Sequence, residues 1–128
     1  MAETSLVDRK IQIASSLLRE LDAEGLRVPA TFWYYYSEPD EWKLVIASPL
    51  VDSQGPIAVY RRIGDVVRGS LKTAELSLSE ISVLSPKDPF IKLFKKAIRT
   101  GPDISGIRFS RNTINNTYVE DAYIYRME

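Results

Sequence analysis

Residues 31–48 of the chain read TFWYYYSEPDEWKLVIAS. The stretch opens with a run of aromatic residues from Phe32 to Tyr36, and aromatic residues are strong strand formers. The polar segment Ser37–Glu41 follows, and its Pro39 pre-sets the backbone angle that a turn needs. Mostly apolar residues return at 42–47, so the stretch predicts a β-hairpin.

The pairing of this hairpin predicts which of its side chains are buried. We expect three cross-strand pairs on an apolar, core-facing side: Tyr36 with Trp42, Tyr34 with Leu44, and Phe32 with Ile46. The opposite side then carries a mixed set of side chains: Trp33, Tyr35, Lys43, Val45 and Ala47.

Apolar residues at the helical period predict helices over residues 5–24, 53–69 and 88–100. Ser5 is the expected N-cap of the first helix, and Ser53 or Asp52 that of the second. In the third, the expected N-cap is Asp88, and the expected buried stripe consists of Phe90, Leu93, Phe94, Ala97 and Ile98.

The end of the chain predicts a second hairpin, with strands over 107–114 and 117–126. Asn115 and Asn116 tolerate the positive φ angles of a two-residue turn. This turn sets the register, which places Ile107 opposite Ile124, Phe109 opposite Ala122 and Arg111 opposite Glu120. Residues 81–84 are a further short strand, while 70–80 fit a helix extension or a loop equally well.

These elements follow the order α-β-β-α-β-α-β-β along the chain. Two hairpins in one chain imply a largely antiparallel sheet with about three helices packed against it. We therefore expect an α+β fold, and the length of 128 residues predicts a single domain over residues 1–128.

The composition restricts the chemistry open to this protein. The chain has no Cys and no His, which excludes disulfides, thiol or imidazole catalysis and most zinc sites. Its 17 basic and 17 acidic residues give a net charge of zero, so any nucleic-acid binding must depend on a local patch. We expect a cytoplasmic protein without a membrane partner, because no signal peptide or membrane-spanning run is evident.

The sequence contains fragments of two enzyme motifs, a phosphate-binding loop and a serine nucleophile, but neither motif is complete. Gly64 and Gly69 have the spacing of phosphate-loop glycines, but no Lys-Ser or Lys-Thr pair follows them. Ser105 lacks a His to activate it. We therefore assign no catalytic, cofactor-binding or metal-binding residue, and the sequence favours a non-enzymatic protein.

One candidate binding surface is basic. The residues from 87 to 111 have a local excess of cations, which suits phosphates, another anion or an acidic protein partner. Its members are Lys92, Lys95, Lys96, Arg99, Arg108 and Arg111. A solvated helix surface is the more ordinary interpretation of such a pattern.

A second candidate surface is aromatic, and it has two interpretations. The rings either anchor a protein interface or pack in the core. Its members are Trp33, Tyr35, Tyr123 and Tyr125.

Three functions remain open from the sequence. The leading hypothesis is a non-enzymatic protein-interaction or accessory module, which binds another protein or forms a homodimer. The alternative is a nucleic-acid-binding domain that uses the basic helix 88–100. A third is a small-ligand binder or enzyme that uses carboxylates and Tyr.

Overall fold

The computed structural model describes residues 6–128. In order, the elements are α1 (Asp8–Ala23), β1 (Ala30–Tyr36), β2 (Glu41–Ala47), α2 (Leu50–Gln54), α3 (Pro56–Arg68), β3 (Ile81–Leu84), α4 (Pro89–Ala97), β4 (Ile107–Ile114) and β5 (Thr117–Met127), with a 3₁₀ turn at Leu78–Glu80. The fold is α+β, and the element order agrees with the sequence prediction. The N-cap predicted at Ser5 lies outside the described residues.

The strands form one sheet in the order β3-β2-β1-β5-β4. Every neighbouring pair is antiparallel except β2 and β3, which run parallel. The strand β1 therefore lies at the centre of the sheet, while β3 and β4 form its two edges. None of the helices in residues 6–128 has the length and apolar character needed to cross a membrane.

Helices cover both sides of the sheet and create two cores. On the first side, α1 and α3 pack over Trp33, Leu44 and Tyr125. On the second side, α4 packs over Phe32, Val45 and other apolar residues of the sheet. Because both sides are buried, most adjacent residues in the central parts of β1 and β2 are apolar on both sides of the sheet.

The register predicted for the first hairpin is wrong by one residue. Tyr36 pairs with Glu41, Tyr34 with Lys43 and Phe32 with Val45. The turn is one residue shorter than the predicted one, and Asp40 within it adopts a φ of 73°. A shift of one residue turns β2 over, and its Leu44 and Ile46 lie on the same side of the sheet as Trp33.

The predicted register of the second hairpin is confirmed. Ile107 pairs with Ile124 and Phe109 with Ala122. Arg111 and Glu120 are not themselves a paired couple, but Ser110 with Asp121 and Asn112 with Val119 keep the same register on either side of them. The turn residues Asn115 and Asn116 have φ angles of 46° and 69°, as a two-residue hairpin turn requires.

The helix predicted over 53–69 is two helices, α2 and α3. Gly55 interrupts it at a φ of 89°, and Pro56 then begins α3 because it lacks an N–H to continue α2. The expected caps Asp52 and Ser53 lie inside α2. Residues 70–80 form turns rather than a helix extension, and the 3₁₀ turn is capped by Ser77.

The helix α4 is shorter than the predicted range 88–100. Its start is as expected, since Asp88 accepts a hydrogen bond from the Phe90 amide at 2.9 Å. Its end comes early, because Ile98 is extended and Thr100 bonds the backbone of Met127 through both its amide and its hydroxyl. Ala97, predicted in the buried stripe, is exposed, and Ile91 is buried in its place.

Candidate functional site

The first side of the sheet is incompletely covered near the tip of the first hairpin. Trp33 lies beneath the helices and is 1% exposed, whereas Tyr35 and Trp42, which lie nearer the tip on the same side, are only partly buried. Side chains from four strands meet there. We call this surface the aromatic face, and its members are Tyr35, Trp42, Arg108, Asp121 and Tyr123.

An ion pair holds the centre of the aromatic face. Arg108 donates from Nε and Nη2 to the two carboxylate oxygens of Asp121, each at 2.7 Å. This hydrogen bonding raises the pKa of Arg108. The guanidinium carbon lies 6.0 Å from the ring centroid of Trp42, at the outer limit of a cation–π contact. Both partners keep solvent access, so the pair orients Arg108 more than it stabilises the fold.

The rings of the aromatic face are also held in place. Tyr35 and Trp42 lie with their ring centroids 5.4 Å apart, and the Tyr35 hydroxyl donates to Asp40 at 2.6 Å. The Tyr123 ring meets Tyr125 edge to face at 5.3 Å. The face therefore presents aromatic and guanidinium groups in a fixed arrangement.

Trp33 and Tyr125 are core residues, which corrects their assignment as candidate interface aromatics. Each is 1% exposed, whereas Tyr35 and Tyr123 are half-buried. The Trp33 indole N–H donates to the Tyr125 hydroxyl at 3.1 Å, and that hydroxyl donates to the Ile11 carbonyl at 2.6 Å. These bonds tie α1 to the sheet beneath the aromatic face.

We expect Tyr125→Phe to lower the free energy of unfolding by about 1–3 kcal/mol at pH 7, because the buried Trp33 N–H loses its acceptor and the Ile11 carbonyl loses a hydrogen bond. Burial raises the pKa of the Tyr125 hydroxyl above its usual value of 10.0. Above pH 10 the unfolded chain therefore releases this proton while the folded chain keeps it. Stability falls as pH rises through that window.

The phenylalanine variant lacks this ionisable group, so the stability gap to wild type should narrow from pH 10 upward. Urea unfolding at pH 7 and between pH 10 and 11 measures both effects. If the difference in the free energy of unfolding between wild type and Tyr125→Phe stays constant with pH, the burial of the Tyr125 hydroxyl is contradicted.

A groove opens beside the aromatic face, between α1 and the segment that leads into β4. Its volume is about 370 Å³. Gly106 forms part of its wall, and a Cβ at this position would lie 2.4 Å from the Tyr123 hydroxyl oxygen. We call it the α1 groove, and its lining residues are Ile11, Gln12, Ser15, Ser16, Arg19, Ile104, Ser105, Gly106, Tyr123 and Tyr125.

The structure divides the basic surface that the sequence predicted. Arg108 pairs with Tyr123 and belongs to the aromatic face, on the side of the sheet opposite α4. Arg99 follows the extended Ile98 and is not on the helix, so it does not continue the helical stripe. Arg111 is exposed on β4 with a φ of 50°.

Three cations therefore remain on α4: Lys92, Lys95 and Lys96. Lys92 and Lys96 are exposed and Lys95 is half-buried. None of the three has an ion pair within residues 6–128.

Carboxylates also meet in a cleft of about 230 Å³ between α1 and α3. Glu20, Glu24 and Asp65 line this cleft, but Glu20 accepts a hydrogen bond from Ser70, and Asp65 pairs with Arg68. No Tyr is among the lining residues found in the described chain. Across residues 6–128 we find no group of three potential ligands that could hold a metal ion.

Several residues of this site are absent from the sequence predictions. Trp42 is predicted in the core, because the predicted register turns β2 the other way. A signal for the groove is nevertheless present in α1, where Gln12, Ser15, Ser16 and Arg19 follow the spacing i, i+3, i+4, i+7. That spacing places them on one helix face, and this face lines the α1 groove.

Comparison with known proteins adds no assignment, since no family model, no curated protein and no solved structure matches the chain.

Proposed function

We propose that this protein is a non-enzymatic protein-interaction module that contacts its partner through the aromatic face. The main observation behind this proposal is that the rings of Tyr35, Trp42 and Tyr123 are held in place around the Arg108–Asp121 ion pair. Trp, Tyr and Arg are the residue types that contribute most binding energy in protein interfaces. Side chains that are already oriented lose less entropy when a partner binds.

The edge of the sheet supports the same proposal. The strand β4 contributes Arg108 and has no neighbour on its outer side among the described residues. An open edge offers backbone N–H and C=O groups to an added strand. A partner strand on this edge would lie next to the aromatic face, so that main-chain and side-chain contacts form together.

The partner in this proposal is another protein or a second copy of the chain. The proposal treats residues 1–128 as one domain that acts in the cytoplasm, in accord with its cysteine-free composition. Because the aromatic face and α4 lie on opposite sides of the sheet, contact through the face leaves the lysines of α4 accessible.

Quantitative affinity capture tests the proposal with matched variants. Four baits are used in extracts of the native host: wild type, Arg108→Gln, Tyr35→Ala and Leu71→Ala. Circular dichroism first shows that each bait is folded. Leu71 is 97% exposed and lies outside the face. We expect a partner that is retained by wild type and Leu71→Ala, and reduced at least fivefold with both face variants. Equal capture by all baits would contradict the proposal.

A second candidate function is nucleic-acid binding through α4, and the unpaired lysines Lys92, Lys95 and Lys96 favour it. Light-scattering mass with mixed short oligonucleotides at low salt tests this candidate. Binding through α4 predicts a mass gain that disappears as salt rises and is lost in the double variant Lys95→Glu, Lys96→Glu. No mass gain in wild type excludes it.

A further inference from the structure

The polar face of α1 is a candidate ligand-binding surface, because its polar side chains lack hydrogen-bond and ion-pair partners within the described residues. The side chains of Gln12, Ser15, Ser16, Arg19 and Ser105 make no hydrogen bond or ion pair within residues 6–128. All of them line the α1 groove, where they bring an amide, three hydroxyls and a guanidinium together. Each of these groups donates hydrogen bonds.

The charge of the groove distinguishes it from its neighbours. Arg19 is its only cation among the lining residues, and none of those residues is an Asp or Glu. Three other surface clefts each contain at least one carboxylate, such as Glu20, Asp8 and Asp22. The lining of the α1 groove has a cation and no carboxylate, and this suits the groove to an anion.

Tyr123 connects the groove to the aromatic face, since it belongs to both. A polypeptide bound on the aromatic face therefore has a direct route into the groove. We propose that the α1 groove binds a carboxylate of the partner polypeptide, with Arg19 as the charged contact and Ser15, Ser16 and Ser105 as hydroxyl donors. This inference rests on the proposed function, and it specifies the chemistry that a partner must carry.

Titration with a small carboxylate tests the groove without any partner protein. The probe is N-acetyl-glutamate α-amide, and the matched neutral probe is N-acetyl-glutamine α-amide, which differs in the side-chain carboxylate alone. Binding is followed by amide chemical shifts in ¹⁵N-labelled full-length protein. We expect the glutamate probe to shift the amides of residues 12–19 and 104–106, and the glutamine probe to leave them unchanged.

Variants of two exposed arginines identify the contact. Arg19→Gln should weaken binding of the glutamate probe on the order of tenfold, as expected for a lost hydrogen bond to a charged group. Arg27→Gln removes an exposed arginine outside the groove and should leave the affinity unchanged. Equal shifts with both probes, shifts centred on α4, or insensitivity to Arg19→Gln would overturn the inference. Tighter binding of inorganic phosphate than of the glutamate probe would overturn its choice of a carboxylate.

The outcome separates this inference from the proposed function. If the groove binds no carboxylate while capture still depends on Arg108 and Tyr35, the inference fails and the proposed function stands. If the probe binds as expected while all baits capture equally, the groove is a carboxylate site and the proposed function fails.

Discussion

Trp33→Ala should lower the free energy of unfolding by about 3–5 kcal/mol, the usual cost of removing a large buried aromatic side chain. The indole is 1% exposed in the first core, and its N–H donates to the Tyr125 hydroxyl. The variant leaves a cavity between α1 and the sheet. Urea unfolding followed by circular dichroism at pH 7 measures the loss.

Leu71→Ala is the control for this prediction, because Leu71 is 97% exposed and its truncation should change stability by less than about 0.5 kcal/mol. A loss below about 1 kcal/mol for Trp33→Ala would mean that the indole is at the surface. Trp33 would then again be a candidate residue of a protein interface.

Phe94→Ala should cost a similar amount, about 3–5 kcal/mol, and should also loosen α4. Phe94 is fully buried in the second core, with ring centroids 4.6 Å from Phe32 and 5.4 Å from Phe90. An isolated helix of nine residues is not stable in water, so α4 depends on this packing.

Hydrogen exchange distinguishes loosening of α4 from a general loss of stability. In Phe94→Ala the amides of α4 should exchange faster relative to those of β1 than they do in wild type. Lys92→Ala is the matched control on the same helix, since Lys92 is exposed and its truncation should be close to neutral. Uniform acceleration across both elements would contradict the prediction.

Local signals in the sequence are sufficient for the element types and for the second hairpin. Asn115 and Asn116 specify a two-residue turn, and that turn alone sets the register of β4 against β5. Asp88 and Pro89 likewise mark the start of α4. Each of these features depends on residues that are close together along the chain.

The first hairpin shows where such signals are insufficient. Its strands are apolar on both sides because helices cover both sides of the sheet, so alternation does not distinguish one register from the next. The observed turn is one residue shorter than predicted, and Asp40 within it has a positive φ. The end of α4 depends in the same way on a distant contact, between Thr100 and Met127.

The candidate site depends on strand order, which no local pattern contains. The aromatic face forms because β5 lies between β1 and β4, which brings Arg108 and Tyr123 to the same side as Tyr35. The sequence identified these three residues but divided them between a basic and an aromatic surface. The same topology separates Arg108 from the lysines of α4.

The most direct test of the aromatic face as a contact surface is site-specific photocrosslinking in the native host. A photoreactive phenylalanine replaces Tyr123 in one strain and Leu71 in another. We predict a discrete crosslinked species from position 123 that is absent from position 71 and is lost when Arg108→Gln is added. Crosslinking that is equal at both positions, or absent at position 123 while the protein is folded, would contradict the account.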